Sequence, residues 1–142
     1  MKLYTFDNGD GVKRVGVELT GFPGLIRDVR DFGLPYRDMT DLIRRITPSE
    51  KERISDPEAA LDGRPLRLSS VRVCSPIPHP EQDIICLGVN YAAHADESAQ
   101  FDRKAFLLDR KKATYFSKRA YQTSGPDDLI PSYPELVTSL DY

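Results

Sequence analysis

Four polar residues follow directly on an aliphatic run in the stretch IICLGVNYAAHADES, residues 84–98. Asn90, Tyr91, His94 and Glu97 lie where an apolar strand is predicted to give way to a helix. On a helix, His94 and Glu97 share a face, because they are three residues apart. A carboxylate in contact with an imidazole raises its basicity and orients it, which suits the pair to activating water or taking a proton. The alternative is a solvated pair that supports the helix, although ligand sites favour the carboxyl ends of strands.

Lys118 is a third candidate for chemistry. It closes the stretch YFSK, near the end of a short predicted strand rich in β-branched and aromatic residues. A lysine in that place can hold a substrate carboxylate or enolate as a point charge. Its basic neighbours in the sequence keep a second interpretation open, in which Lys118 is an ordinary solvated residue.

The other polar and sulfur residues are assigned structural roles or none. Asp127 and Asp128, in SGPDD, are predicted to form a turn. His79 lies in a proline-rich linker and has no assigned role. Cys74 and Cys86 lack a second cysteine or a histidine at metal-site spacing, and Cys86 is expected to be a small buried hydrophobe within its strand.

The first 75 residues are predicted to form a small α+β domain. The arms KLYTF and VKRVGVEL alternate apolar and polar residues around DNGDG, which predicts an antiparallel hairpin. The string TPSE at 47–50 is a capping box with proline at the first helical position, so a helix should begin there and stop near LDGRP. Between Leu66 and Val73, apolar residues recur with period two, which predicts a strand or a pair of strands. An earlier helix is predicted from four apolar residues on one face: Met39, Leu42, Ile43 and Ile46.

A proline-rich linker at residues 76–82 is predicted to separate this domain from a second one. The surrounding stretch CSPIPHPEQD has three prolines in ten residues, and prolines cannot donate to a strand ladder. Residues 83–142 should start with a buried strand, DIICLGV, and continue through a helix or helical turn over NYAAHADESAQFDRKAF. A short strand at ATYFSKRA and a tail of loop, turn and short strand should follow.

The composition excludes some classes of function. The chain has 142 residues, 30% of them charged, with a formal net charge of -2 and both signs interspersed. This balance gives no electrostatic case for binding nucleic acid or a membrane surface. The longest apolar run is too short to cross a bilayer, and MKLYTF does not resemble a signal peptide. We therefore expect a soluble, cytoplasmic protein.

Three stretches together resemble a known family. IICLGVNYAAHADES, YFSKRA and SGPDDLIPSYPELVTSLDY are similar, in order and spacing, to the start of the catalytic domain of the fumarylacetoacetate hydrolase family. The string N-Y-x-x-H-x-x-E after an aliphatic strand is the specific part. The opening MKLYTF and VGVEL resemble the small N-terminal domain of that family.

The resemblance implies an α+β fold, in which a small N-terminal domain precedes the first part of a mixed β-roll catalytic domain. The family hydrolyses, isomerises or decarboxylates 2-oxo or 1,3-diketo acids, including acids from the catabolism of aromatic compounds, and usually forms homodimers. By resemblance, His94 and Glu97 activate water or take a proton and Lys118 holds the substrate. Asn90 and Tyr91 are expected to contact the substrate.

The resemblance also implies a divalent metal, commonly magnesium or manganese. The family's Glu-x-Glu ligand pair normally begins right after a string like SLDY, which closes this sequence. The metal ligands are therefore expected outside this chain, in a C-terminal portion that is a second chain or a continuation. The alternative function is a non-catalytic, truncated homologue that serves as a binding module and recruits a partner by strand addition.

Overall fold

The computed structural model describes residues 1–56, 63–88 and 113–139. These residues form an α+β fold, which confirms the predicted class. Contacts divide the chain into two compact units. The first contains Met1–Pro78 and the chain from Thr123 onward, and the second is His79–Gln122. The division into domains at residues 1–75 and 83–142 stays a prediction about the family fold.

An antiparallel sheet organises the first unit. Its five described strands are β1 Leu3–Asp7, β2 Lys13–Glu18, β3 Leu25–Asp28, β4 Leu66–Arg67 and β5 Arg72–Val73. They lie in the order β4-β3-β2-β1-β5. The predicted hairpin is confirmed as β1 and β2, with Leu3 opposite Val17 and Asp7 opposite Lys13. One Asp7 carboxylate oxygen accepts backbone hydrogen bonds from Gly9 at 2.8 Å and Gly11 at 3.1 Å, which fixes the turn.

Two α-helices follow the third strand. Helix α1 spans Met39–Arg45 and helix α2 spans Pro48–Ser55, with short 3-10 helices at Val29–Phe32 and Leu68–Ser70. The predicted capping box of α2 is confirmed, and Pro48 occupies its first turn. Helix α2 ends at Ser55, before the predicted stop near LDGRP. The short strands β4 and β5 confirm the predicted pair of strands.

The main core of this unit lies between the sheet and the helices. Side chains from β2 and both helices are buried together with the segment that joins β3 to α1. On the other face of the sheet, Phe6 and Ile26 are fully buried over Gly16. A Cβ atom at Gly16 would lie 3.1 Å from the Phe6 ring and 3.2 Å from Ile26 Cδ1, so glycine leaves the space they fill. The main core consists of Val15, Val17, Val29, Phe32, Leu34, Tyr36, Met39, Leu42 and Ile54.

The predicted apolar face of α1 is wrong at Ile43. Met39 and Leu42 are buried and Ile46 packs against the core, but the side chain of Ile43 is 58% exposed. At about 100° per residue, Ile43 lies on the flank of the narrow stripe that the other three define. Within this helix of seven residues, Met39 and Leu42 are the buried ones.

The capping box predicts a measurable contribution to stability. The Glu50 N–H donates to Thr47 Oγ1 at 3.3 Å, and the Thr47 N–H donates to Glu50 Oε2 at 2.9 Å. Replacing Thr47 by alanine should lower the free energy of unfolding by about 0.5–2 kcal/mol. Thr47→Ser keeps the oxygen and should restore most of the loss in urea titrations. Equal losses in the two variants would contradict a role for the hydroxyl.

The second unit contains an antiparallel pair of strands. Strand β6 spans Ile84–Gly88 and strand β7 spans Thr114–Lys118, with Ile84 opposite Lys118 and Gly88 opposite Thr114. Both strands were predicted, but the expected burial of β6 is wrong, because its aliphatic side chains are exposed and Cys86 is only partly buried. A ribbon of two strands supplies one neighbour to each strand, and the described residues cover neither face. The helix predicted over NYAAHADESAQFDRKAF lies outside the described residues.

The tail of the chain differs from its prediction in one respect. Residues 123–139 form loops and turns, and the short strand expected there is absent from this described stretch. Across the three described ranges, no helix is both long and apolar enough to cross a membrane.

Candidate functional site

Lys118 is the predicted site residue that the structure describes. It is the last residue of β7, lies opposite Ile84 and is exposed. Because directly opposed residues share a face, Lys118 lies on the face of the ribbon that also carries Phe116 and Cys86. Lys118 is the single charged residue among the ten residues of the two strands. Its positive charge lies at the end of an otherwise uncharged face.

The other four candidate residues lie outside the described part of the chain. These are Asn90, Tyr91, His94 and Glu97. Their sequence position follows the end of β6, which the structure places at Gly88. The strand that should precede them is confirmed. Their roles, and the contact between His94 and Glu97, stay predictions.

The described residues do not fit a metal site. Residues 1–56, 63–88 and 113–139 contain no cluster of three or more His, Cys, Asp or Glu side chains arranged to hold an ion. No step of the proposed chemistry is therefore assigned to a metal bound by them.

Asp128 forms the turn that the sequence predicts, and it also binds an arginine. Its Oδ2 accepts the Gly125 N–H at 2.8 Å, and its Oδ1 accepts a hydrogen bond from the Arg72 guanidinium at 2.5 Å. The backbone hydrogen bond from Gly125, followed by the contact with Arg72, lowers the pKa of Asp128. Asp128 is therefore a carboxylate that binds residues 123–139, which we call the returning chain, to strand β5.

A group of hydroxyl contacts, which the sequence did not predict, holds the returning chain to the proline-rich stretch. Thr123 Oγ1 donates to the carbonyl of Ile77 at 2.7 Å, and it lies 2.5 Å from the hydroxyl of the buried Ser75. The Thr123 N–H donates to the carbonyl of Pro78 at 3.0 Å. Thr5 Oγ1 donates to the carbonyl of Pro76 at 2.6 Å. We call these contacts of Ser75 and Thr123 the clasp.

At Gly125, next to the clasp, the backbone of the returning chain lies close to the backbone of Cys74 and Ser75. A Cβ atom at this position would lie 2.9 Å from the backbone nitrogen of Ser75 and 3.1 Å from the carbonyl carbon of Cys74. A side chain there would force the two backbones apart. A glycine that follows two hydroxyl residues was the feature of the sequence that could have indicated this contact. Its position in the sequence did not identify Cys74 and Ser75 as the partners.

His79 has contacts consistent with a structural role. Its Nδ1 atom lies 3.2 Å from the carbonyl oxygen of Tyr121, and the two rings are 5.7 Å apart and tilted. Among the described residues, His79 belongs to no cluster of three or more His, Cys, Asp or Glu side chains that could hold an ion. This leaves His79 as a natural control for experiments on His94.

Two curated relatives match the chain. Oxaloacetate tautomerase YisK from Bacillus subtilis (strain 168) is 35% identical over 75 residues, which are 53% of this chain and 23% of that protein. The mitochondrial oxaloacetate tautomerase fahd2 from Xenopus laevis is 29% identical over 146 residues, which cover 100% of this chain and 41% of that protein. The chain spans less than half the length of either relative. No protein-family model matches it. No solved structure matches it significantly.

Both relatives belong to the family that the sequence motifs indicated. The match to the Xenopus protein covers the region of Lys118 and the region of His94 and Glu97, because it extends over the whole chain. The resemblance inferred from the motifs is thereby confirmed. The chain is thus similar over its whole length to one member of the fumarylacetoacetate hydrolase family, and over 75 residues to a second.

Proposed function

We propose that this chain is the N-terminal part of a metal-dependent enzyme that interconverts the keto and enol forms of a 2-oxo dicarboxylic acid such as oxaloacetate. The observation that carries the proposal is the match of the whole chain to an oxaloacetate tautomerase, supported by a second tautomerase over 75 residues. Within the broader set of hydrolase, isomerase and decarboxylase reactions predicted for the family, these matches favour the isomerase.

The keto–enol reaction needs a base close to the carbon that loses a proton. It also needs a cation close to the oxygen that becomes negatively charged. A C–H bond next to the keto group breaks and its proton passes to the base, while the electron pair forms the C=C bond of the enolate. The enolate oxygen then takes a proton to give the enol. In this proposal His94, oriented by Glu97, takes the carbon-bound proton. Lys118 holds the negative charge of the enolate or of a carboxylate, and Asn90 and Tyr91 contact the substrate.

A divalent magnesium or manganese ion is part of the proposal. When bound, such an ion would polarise the substrate oxygens. The described residues form no ligand set for it, so its ligands are proposed to come from outside this chain. The residues of this chain then bind the substrate and move the proton.

The test is a tautomerase assay on the purified protein that contains this chain, supplied with Mg²⁺ or Mn²⁺. The ultraviolet absorbance of enol-oxaloacetate reports its conversion to the keto form. Lys118→Ala should lower kcat/KM about 10²-fold, the usual cost of one donor that stabilises an oxyanion. Lys51→Ala is the matched control, because Lys51 is an exposed lysine on α2. No catalysis by the wild type, or equal activity in both variants, would contradict the proposal.

One observation favours a second candidate, a non-catalytic binding module. The ribbon of β6 and β7 exposes large apolar side chains, which is typical of a surface that binds another polypeptide. A protein that binds a partner but neither tautomerises, hydrolyses nor decarboxylates oxo acids would favour the module. Turnover that depends on Lys118 would favour the enzyme.

A cytoplasmic location and a homodimer complete the proposal. The name of the Xenopus relative places that protein in mitochondria, so fractionation of the source cells is a direct test of location. Light scattering of the purified protein tests the dimer.

A further inference from the structure

The turn between β1 and β2 has the sequence DNGDG, residues 7–11, and it contains two chemically labile dipeptides. In Asn8-Gly9 and in Asp10-Gly11, a side-chain carbonyl carbon precedes a glycine. The backbone nitrogen of the glycine can attack that carbon and close a five-membered ring. Glycine favours this attack, because it lacks the side chain that hinders it at other residues. The sequence indicates both dipeptides, and their contacts in the structure distinguish them.

Asp10 makes contacts that oppose ring closure. Its two carboxylate oxygens accept hydrogen bonds from the Arg14 guanidinium at 2.8 and 2.5 Å, and Oδ1 also accepts the Val12 N–H at 3.0 Å. The hydrogen bonds from Arg14, followed by the one from Val12, hold the pKa of Asp10 well below its usual range. A carboxylate is a poor electrophile, because it has no good leaving group. The dipeptide Asp10-Gly11 is therefore expected to stay intact.

Asn8 lies in the open part of the same turn. Asn8 and Gly9 are both exposed, so water reaches them. Gly9 has a φ of 90°, and a Cβ atom at this position would have no described neighbour within 4 Å beyond the adjacent residues. Neither burial nor crowding by the described residues therefore opposes ring closure at Asn8.

A hydrogen bond restrains the nitrogen that would attack Asn8. The Gly9 N–H donates to Asp7 Oδ1 at 2.8 Å, and the same oxygen accepts the Gly11 N–H at 3.1 Å. A hydrogen bond to a carboxylate stabilises the protonated backbone amide, whereas the attack needs the nitrogen without its proton. Ring closure therefore requires this hydrogen bond to open, and exposed turns open at low cost in free energy.

We propose that Asn8 is a site of spontaneous deamidation and that the hydrogen bond from Gly9 to Asp7 limits its rate. The Gly9 nitrogen loses its proton and bonds to Cγ of Asn8, while the bond from Cγ to the side-chain nitrogen breaks and ammonia leaves with that proton. Water then opens the cyclic imide at one of its two carbonyl groups. The product is an aspartate, or an isoaspartate in which the main chain continues through the side chain. The modification goes beyond the proposed function and is independent of it, because no catalytic group takes part.

Either product changes the hairpin of β1 and β2. Both products place a further carboxylate between Asp7 and Asp10, where like charges repel each other. The isoaspartate also adds a carbon atom to the backbone of the turn. Because turn geometry fixes the register of a hairpin, the pairing of Asp7 with Lys13 should weaken. Strand β2 supplies Val15 and Val17 to the main core, so the isoaspartate form should unfold at a lower urea concentration than the unmodified protein.

The test incubates the purified protein that contains this chain in mildly alkaline buffer and follows Asn8 by peptide mapping with mass spectrometry. Asn90 is the internal control, because the sequence has two asparagines and Asn90 precedes Tyr91, a residue whose side chain hinders ring closure. We expect Asn8 to convert several-fold faster than Asn90. An isoaspartyl methyltransferase with a labelled methyl donor should label the peptide that contains residue 8. Asn8→Gln should abolish this label, since glutamine would have to close a six-membered ring.

Three further variants test the hydrogen bond and the effect on the hairpin. Asp7→Ala should deamidate several-fold faster than the wild type, whereas Asp7→Asn keeps an accepting oxygen and should have a rate between the two. Asn8→Asp reproduces the added charge without the longer backbone, so it should retain most of the stability that the isoaspartate form loses. Urea titrations measure these stabilities and establish that each variant is folded. No conversion of Asn8, equal rates at Asn8 and Asn90, or an unchanged rate in Asp7→Ala would overturn the proposal.

Discussion

An H94A variant should tautomerise oxaloacetate about 10²- to 10⁴-fold more slowly than the wild type, since loss of a general base usually costs that much. The fold should survive, because the described core of the first unit is built from residues distant in sequence from His94. The loss should appear mainly in kcat, since the imidazole acts in the proton-transfer step and the proposed binding contacts remain. Steady-state kinetics by enol absorbance, with Mg²⁺ present, measures both constants.

His79→Ala is the matched control for H94A, because the chain has two histidines. His79 is exposed and its recorded partner is the backbone carbonyl of Tyr121, so its loss should leave turnover unchanged. Glu97→Gln should give an intermediate loss if the carboxylate orients His94. Full activity in H94A, or the same loss in His79→Ala, would remove His94 from the mechanism.

Local rules were sufficient for much of the first unit. The hairpin of β1 and β2 follows from alternation around a turn of residues that tolerate positive φ, and Gly9 and Gly11 have φ of 90° and 77°. The start of α2 follows from four consecutive residues whose side chains and backbone satisfy one another. In both cases the interacting groups are a few residues apart, so a short stretch of sequence includes all the residues that interact.

The ribbon shows where an apolar pattern misleads. The aliphatic run from Ile84 to Leu87 correctly predicted a strand, yet its side chains are exposed in the described structure. Apolar residues predict that a strand is covered, but they do not identify the polypeptide that covers it. The pattern thus supports the strand prediction and leaves the covering of the strand open.

The clasp could not be predicted for a different reason. Ser75 and Thr123 are separated by 48 residues, and their contact has no periodic signal in the sequence. The hydrogen bonds of the clasp nevertheless have a physical cause. The prolines at 76 and 78 lack N–H groups, so this stretch cannot form the regular hydrogen bonds of a β-sheet. The carbonyls of Pro76 and Ile77 still accept hydrogen bonds, and the hydroxyl groups of Thr5 and Thr123 donate them.

The candidate site was predicted through a motif, and the roles of its residues stay predictions. Lys118 lies at the end of a strand as expected, and β6 precedes the residues around His94. A motif identifies residue types and spacing, whereas catalysis depends on distances between side chains that the motif leaves open. The relatives support the family, and the kinetic variants must test the roles.

Leu42→Ala on helix α1 should lower the free energy of unfolding by about 2–5 kcal/mol, the usual cost of removing a buried leucine side chain. Leu42 is 1% exposed and packs in the main core, where the cavity left by truncation has little freedom to collapse. The neighbouring Ile43 is 58% exposed. Ile43→Ala should change stability by less than about 0.5 kcal/mol, as surface substitutions usually do.

This comparison decides which residues of α1 form its packed face. Both variants remove aliphatic atoms from adjacent positions of one helix, and alanine has the higher helix propensity in each case. Their difference therefore measures packing. Urea titrations followed by circular dichroism give both free energies of unfolding. Similar losses would mean that α1 is packed on both sides and that Ile43 is covered in solution, as the helical pattern of the sequence predicted. A loss confined to Leu42→Ala would establish that the packed face of α1 includes Leu42 and excludes Ile43.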